Sequence, residues 1–172
     1  MIYLSIIIPA YNAEKSIANT LQSLVEQTLD EKYEIIIVND GSIDHTEEII
    51  IDFIRQREAD FIRLFSQENK GKGAAQNLGV SYATGEYILI IDSDASAPPG
   101  WIQQMKMLLE EYDMVTGVYY AYNPASLIEK MQNALFIANF KYSTSATVAG
   151  TNFGFRKKVW EAIGGFNTQL PS

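Results

Sequence analysis

The stretch YILIIDSD, residues 87–94, sets the fold: an unbroken apolar run at 88–91 passes directly into two aspartates, Asp92 and Asp94. A run of β-branched and leucine residues without polar alternation is what a parallel strand buried on both faces requires. The pattern occurs twice more. Residues 4–8 end on Pro9-Ala10-Tyr11-Asn12, and residues 35–38 end on Asn39-Asp40-Gly41-Ser42. Between these runs the periodicity changes to that of helices, so the chain reads as an α/β protein.

Working outward, Ile17, Leu21, Leu24 and Val25 recur at helical spacing after Asn12, whose side-chain oxygen is expected to cap that helix. Asp44 and Glu47 form an expected capping box ahead of Ile49, Ile50, Phe53 and Ile54. A shorter strand at 61–65 leads through a polar turn into a third helix carrying Ala74, Ala75, Leu78 and Tyr82. Pro98-Pro99 opens a fourth, with Trp101, Ile102, Met105, Leu108 and Leu109 facing inward, and 114–118 reads as another strand. The order βαβαβαβαβ predicts a mostly parallel sheet with right-handed crossovers. After Tyr119 a helical stretch runs from Asn123-Pro124 to about residue 142, followed by a strand at 152–155.

Composition narrows the function. With 172 residues, 47% of them hydrophobic, the chain has the core of one ordinary domain. A net charge of -8 argues against nucleic-acid partners, which need a basic face for counterion release. No cysteine is present, which excludes disulfides, thiolate nucleophiles and cysteine-bound zinc, and a single histidine, His45, excludes a multi-histidine metal site. No apolar run approaches the roughly 20 residues needed to span a bilayer. The apolar residues of 124–142 suit a core or subunit contact better than a membrane interface.

In open parallel sheets, ligands bind beyond the carboxyl ends of the strands, where the three polar ends converge. Tyr11 offers a flat wall and Asp40 an acceptor for a uracil-like N–H; the plainer reading of Asp40-Gly41 is a turn. Asp92 and Asp94, if the backbone stays extended, both reach one hard cation, Mn²⁺ or Mg²⁺, whose shell phosphate and water complete. Taken alone, such a pair is equally a solvated turn. The segment ENKGKG, 68–73, places glycines and lysines at a helix start suited to phosphate, or is a flexible polar turn. Neither G-x-x-x-x-G-K-[ST] nor G-x-G-x-x-G after the first strand is present, which removes the main support for P-loop and dinucleotide readings.

Together PAYN (9–12), NDGS (39–42), ENKGKGAAQN (68–77), DSD (92–94), GTNFGFRK (150–157) and GGF (164–166) resemble family 2 glycosyltransferases of the GT-A fold, over nearly the whole chain. The resemblance implies a Rossmann-like, mostly parallel sheet flanked by helices, and a nucleoside-diphosphate sugar donor, UDP-linked by family frequency. It implies nucleotide contacts from Ala10, Tyr11, Asp40, Lys70, Gly73 and Asp92, metal binding by Asp94, and a donor-sugar and acceptor region at Gly150, Asn152 and Arg156. The plainer readings are a turn or strand-end residue for Asn152 and a surface cation for Arg156. The implied reaction is metal-assisted transfer with inversion, a carboxylate base deprotonating a hydroxyl of a saccharide, lipid-linked or polymeric acceptor.

One domain is expected over 1–172, with 1–118 binding the nucleotide and 119–172 starting the acceptor part. The family's acidic pair after GGF is not found before Ser172. The fold is therefore expected to be C-terminally incomplete, with the general base beyond Ser172. Residues 1–172 alone are expected to bind nucleoside diphosphate with metal yet transfer sugar poorly. The resemblance also implies a cytoplasmic location, extending to the cytoplasmic face of a membrane reached through a C-terminal region. Two competing readings are a sugar-phosphate nucleotidyltransferase, which carries a glycine- and basic-rich loop where this chain has Pro9-Ala10-Tyr11-Asn12, and a non-catalytic nucleotide-sugar or interaction module.

Overall fold

The apolar runs form the central strands of a six-stranded sheet. In the computed structural model, which describes residues 3–117 and 152–169, these are β1 (Leu4–Ala10), β2 (Tyr33–Asp40) and β4 (Tyr87–Ile91). Every residue of β1 and β4 is buried, as two-sided coverage demands. The remaining strands are β3 (Ile62–Gln67), β5 (Met114–Thr116) and β6 (Asn152–Arg156). The helices are α1 (Ile17–Val25), α2 (Thr46–Arg57), α3 (Lys72–Tyr82), α4 (Trp101–Glu111) and α5 (Lys157–Ile163).

Strand order is β3-β2-β1-β4-β6-β5. The first four strands are mutually parallel, Ile6 lying beside Ile35 on one side and Leu89 on the other. The chain steps outward from β1 to β2 to β3, and α3 then carries it back across the sheet to the free side of β1. That reversal opens a crevice between the carboxyl ends of β1 and β4. β6 runs antiparallel to β4 and takes the position beside it that simple succession gives β5, which lies at the sheet edge.

The pleat divides the core in two. Ile6, Ile8, Ile35 and Ile37 pack under α1, α2 and α4, while Ile7, Ile36, Val38, Ile88 and Ile90 pack under α3 with Phe153, Phe155 and Trp160. Each fully buried isoleucine contributes at most about 3 kcal/mol, so this two-sided core dominates stability. Close approach of α3 depends on Gly79, where a Cβ would overlap the Ile7 Cγ2 methyl.

Three local expectations are corrected. Asn12 does not cap α1: it adopts a left-handed conformation (φ 50°), and its Oδ1 accepts the Ile43 N–H at 3.0 Å. Asp44 and Glu47 form no capping box, because Asp44 accepts from the Thr46 N–H and hydroxyl (3.0 and 2.5 Å) while Glu47 accepts from Asn39 Nδ2 at 2.7 Å. Asn12 is taken by a tertiary partner, whereas Asp44 divides its carboxylate between nearby Thr46 and the distant Glu14 N–H, at 3.1 Å. Leu108 is exposed on the outer side of α4, whereas Trp101, Ile102, Met105 and Leu109 are buried as expected. The expected helix over 124–142 lies outside the described residues, and among those described no helix is long and apolar enough to cross a membrane.

Candidate functional site

Three strand ends meet at the crevice, and those of β1 and β2 are tied to neighbouring loops by side-chain hydrogen bonds to backbone. At the end of β1, the Asn12 N–H donates to Ser42 Oγ at 3.0 Å, which with the Asn12–Ile43 bond joins the β1 and β2 loops. Tyr11, half-exposed, stands in the crevice wall.

At the end of β2, Asp40 is buried and its carboxylate gathers the next loop. Oδ1 accepts from Gln67 Nε2 (2.7 Å) and the Lys70 N–H (2.9 Å), and Oδ2 accepts from the Gly71 N–H (2.9 Å). Segment 68–71 is thereby drawn over the strand end. The approach is close enough that a Cβ on Gly41, already at φ +70°, would meet the Asn69 nitrogen at 2.7 Å.

That loop ends at Gly71 (φ +86°), the N-cap of α3. The next residue, Lys72, extends into the crevice, where its Nζ lies 2.7 Å from Asp92 Oδ1. Burial pushes the Asp92 carboxyl above the usual aspartate range; Lys72 draws it back part of the way, and the Asp94 charge adds to the rise. The backbone does not stay extended after β4 as expected. It turns, the Ala95 N–H donating to the Asp92 carbonyl at 3.1 Å, and both Asp92 and Asp94 still line the crevice.

Ala10, Tyr11, Asp40, Asp92 and Asp94 thus surround one opening. Asn152 sits near its rim, opposite Ile91 in the β4–β6 pairing, with Oδ1 accepting from Trp101 Nε1 at 3.0 Å. Other residues expected at the site are not among those lining the opening. Lys70 has an exposed side chain and contributes its backbone N–H to Asp40. Gly73 faces the Asn167 carbonyl, 3.4 Å from where its Cβ would be. Arg156 pairs with Tyr87 in register, four residues along β4 from Ile91 and so about 13 Å from the crevice end. There it bridges Glu86 (3.1 Å) and Asp113 (3.3 Å) and lies over the Tyr87 ring. Because β6 runs antiparallel to β4, Asn152 and not Arg156 stands at the crevice end of the strand. Gly150 lies outside the described residues.

Two residues are not among the site residues that the resemblance names, although Lys72 lies in the 68–73 segment read as suited to phosphate. Lys72 was detectable, since it shares a helical face with small, core-facing Ala75 and Gly79 and so points toward the strand ends, whereas Lys70 precedes the helix. Asn77 was not: its Oδ1 accepts from the Phe166 N–H (2.8 Å) and Trp160 Nε1 (3.0 Å), partners distant in sequence.

The family model described as "Glycosyl transferase family 2" matches residues 5–164. The glycosyltransferase GlyG of Streptococcus pneumoniae is 38% identical over 123 residues, covering 70% of this chain and 40% of that protein. A poly-beta-1,6-N-acetyl-D-glucosamine synthase of Staphylococcus epidermidis is 32% identical over 179 residues, covering 97% of this chain and 42% of that protein. The chain therefore spans about two-fifths of the length of these relatives. Among solved structures, mannosyltransferase PcManGT from Pyrobaculum calidifontis, in complex with GDP-Man and Mn²⁺, superposes with a TM-score of 0.77 at 26% identity, over 97% of this chain and 48% of that one. S. aureus TarS 1-349 in complex with UDP superposes at 0.73 with 24% identity, over 99% of this chain and 52% of that one, a likeness of fold.

Proposed function

The chain belongs to glycosyl transferase family 2, and from that membership we propose that its crevice binds a nucleoside-diphosphate sugar, UDP-linked, for transfer to a hydroxyl acceptor with inversion. The observation that carries the reading is the convergence of Tyr11, Asp40, Lys72, Asp92 and Asp94 on one opening at the point where strand order reverses. Tyr11 gives a face for a base, and the Asp40 carboxylate holds the loop beside it while keeping acceptor capacity on Oδ2 for a base N–H. Lys72 supplies positive charge where a diphosphate enters.

Asp92 and Asp94 fit a hard divalent cation by donor chemistry, though two carboxylates leave most of its shell to phosphate and water. No group of three or more acidic, histidine or cysteine ligands occurs among the described residues, which favours a metal that arrives with its nucleotide. Asp94, the more exposed of the pair, would hold it. When bound, the cation supplies charge neutralisation for the departing diphosphate. The chain's own residues fix the donor in orientation, and a carboxylate base removes the acceptor proton. GDP-Man with Mn²⁺ in PcManGT supports this donor class, and the poly-N-acetylglucosamine synthase of S. epidermidis supports a saccharide or polymeric acceptor.

Residues 3–117 form the nucleotide part in this reading, and β6 with α5 begins the acceptor side. Calorimetric titration of UDP and GDP with and without Mn²⁺, repeated on Asp94→Ala, tests the site. Metal-dependent binding of UDP that the variant loses is the expected result. Absence of binding to either nucleotide in any metal would leave a non-catalytic module as the better reading, and inversion fails if the product keeps the donor's anomeric configuration.

A further inference from the structure

Lys72 occupies the place of a cation. Its ammonium contacts Asp92 at 2.7 Å, with side chains 32% and 20% exposed, in the same crevice as Asp94. The lysine is aimed by backbone: it is the first residue of α3, directly after Gly71, and the buried Ala75 on the same face holds that helix against the sheet. With Asp40, Asp92 and Asp94 lining the opening beside one ammonium, its net charge is negative.

We propose that Lys72 is an exchangeable counter-ion. It neutralises Asp92 in the empty crevice and turns to the donor diphosphate when a divalent cation held by Asp94 reaches Asp92 as well. The inference rests on the nucleotide-sugar reading above. A dication and an ammonium compete for Asp92, because they repel each other across a half-buried carboxylate. A lysine is a compact charge on a flexible stem, so it can leave one anion for another without moving the helix. Metal binding frees Lys72 for the diphosphate, and the diphosphate draws Lys72 from Asp92. Each ligand therefore assists the other, by the same factor in both directions.

The exchange predicts opposite signs for two affinities on removal of the charge. In the domain carrying Lys72→Met, Mn²⁺ without nucleotide, measured by the electron paramagnetic resonance of free Mn²⁺, binds about fivefold more tightly than in the parent. UDP at saturating Mn²⁺, measured by calorimetry, binds about tenfold more weakly, and the factor by which UDP improves Mn²⁺ affinity shrinks. Lys72→Gln gives the same pair of changes, and matching melting curves for both variants exclude a folding defect. Unchanged or weaker Mn²⁺ binding in both variants, or two affinities that move together, overturns the exchange. A parent domain that binds Mn²⁺ but neither UDP nor GDP defeats the donor reading, while the manganese measurement still decides whether Lys72 competes for Asp92.

Discussion

Asn77 and Phe166, 89 residues apart, are joined by a reciprocal pair of hydrogen bonds: the Phe166 N–H donates to Asn77 Oδ1 at 2.8 Å, and Asn77 Nδ2 donates to the Phe166 carbonyl at 2.9 Å. The asparagine amide imitates a strand edge. It fastens the segment leaving α5 onto α3, so that the Asn167 carbonyl lies against Gly73, beside Lys72. The same oxygen also receives Trp160 Nε1.

Asn77→Ala leaves three polar groups of this junction without their partner and is expected to destabilise the domain by about 2 kcal/mol. Urea unfolding measures the loss, and amide exchange locates it: the Phe166 amide loses protection while those of β1 and β4 keep theirs. Uniform loss across the sheet would show that the junction is not local.

At the opposite end of the sheet, Glu34 accepts from Ser5 Oγ (2.8 Å), the Thr84 N–H and hydroxyl (both 2.7 Å) and Arg63 (2.9 Å). Burial works to raise this carboxyl, but the hydrogen bonds from Thr84, Ser5 and Arg63 outweigh it and hold it below its ordinary value of 4.5. A folded-state value below the unfolded one means that the contribution is fully present above pH 4.5 and is lost as pH falls from there through the folded value. Thermal melts of the parent and Glu34→Gln are expected to differ most above that pH and to converge in stronger acid. A difference independent of pH would remove the charge from the explanation.

Asp40 has a task that needs no nucleotide. Asp40→Asn puts an amide donor where the carboxylate now receives three, so the Lys70 and Gly71 amides are expected to exchange faster in the ligand-free domain, with about 1–3 kcal/mol lost in stability. UDP affinity falls as well. If affinity falls while those amides stay protected, Asp40 acts on the ligand and not through the loop.

Gly79→Ala sets helix propensity, worth up to about 1 kcal/mol in its favour, against overpacking of Ile7, costing about 1–3 kcal/mol. The Ile7 methyl is on a β-branched side chain in a fully buried strand and cannot swing aside. Net destabilisation is expected, with a favourable coupling when Ile7→Ala is combined with it. Additive effects in the denaturation cycle would show that the helix simply lifts.

The buried strands, the helices between them, and the convergence of the Tyr11, Asp40 and Asp92–Asp94 segments at one end are legible along the chain. Those follow from periodicity, which is local, and from parallel pairing, which puts every carboxyl end on the same side. Tertiary structure alone decided that Asn12 bonds to the β2 loop, that β5 lies beyond β6, that Arg156 stands at the far end of the sheet, and that Asn77 grips Phe166. Each of these depends on a contact between segments distant in the chain or on the direction in which a strand enters the sheet. A strand's side-chain alternation is the same in either direction, so its residues carry no mark of which end will meet the crevice.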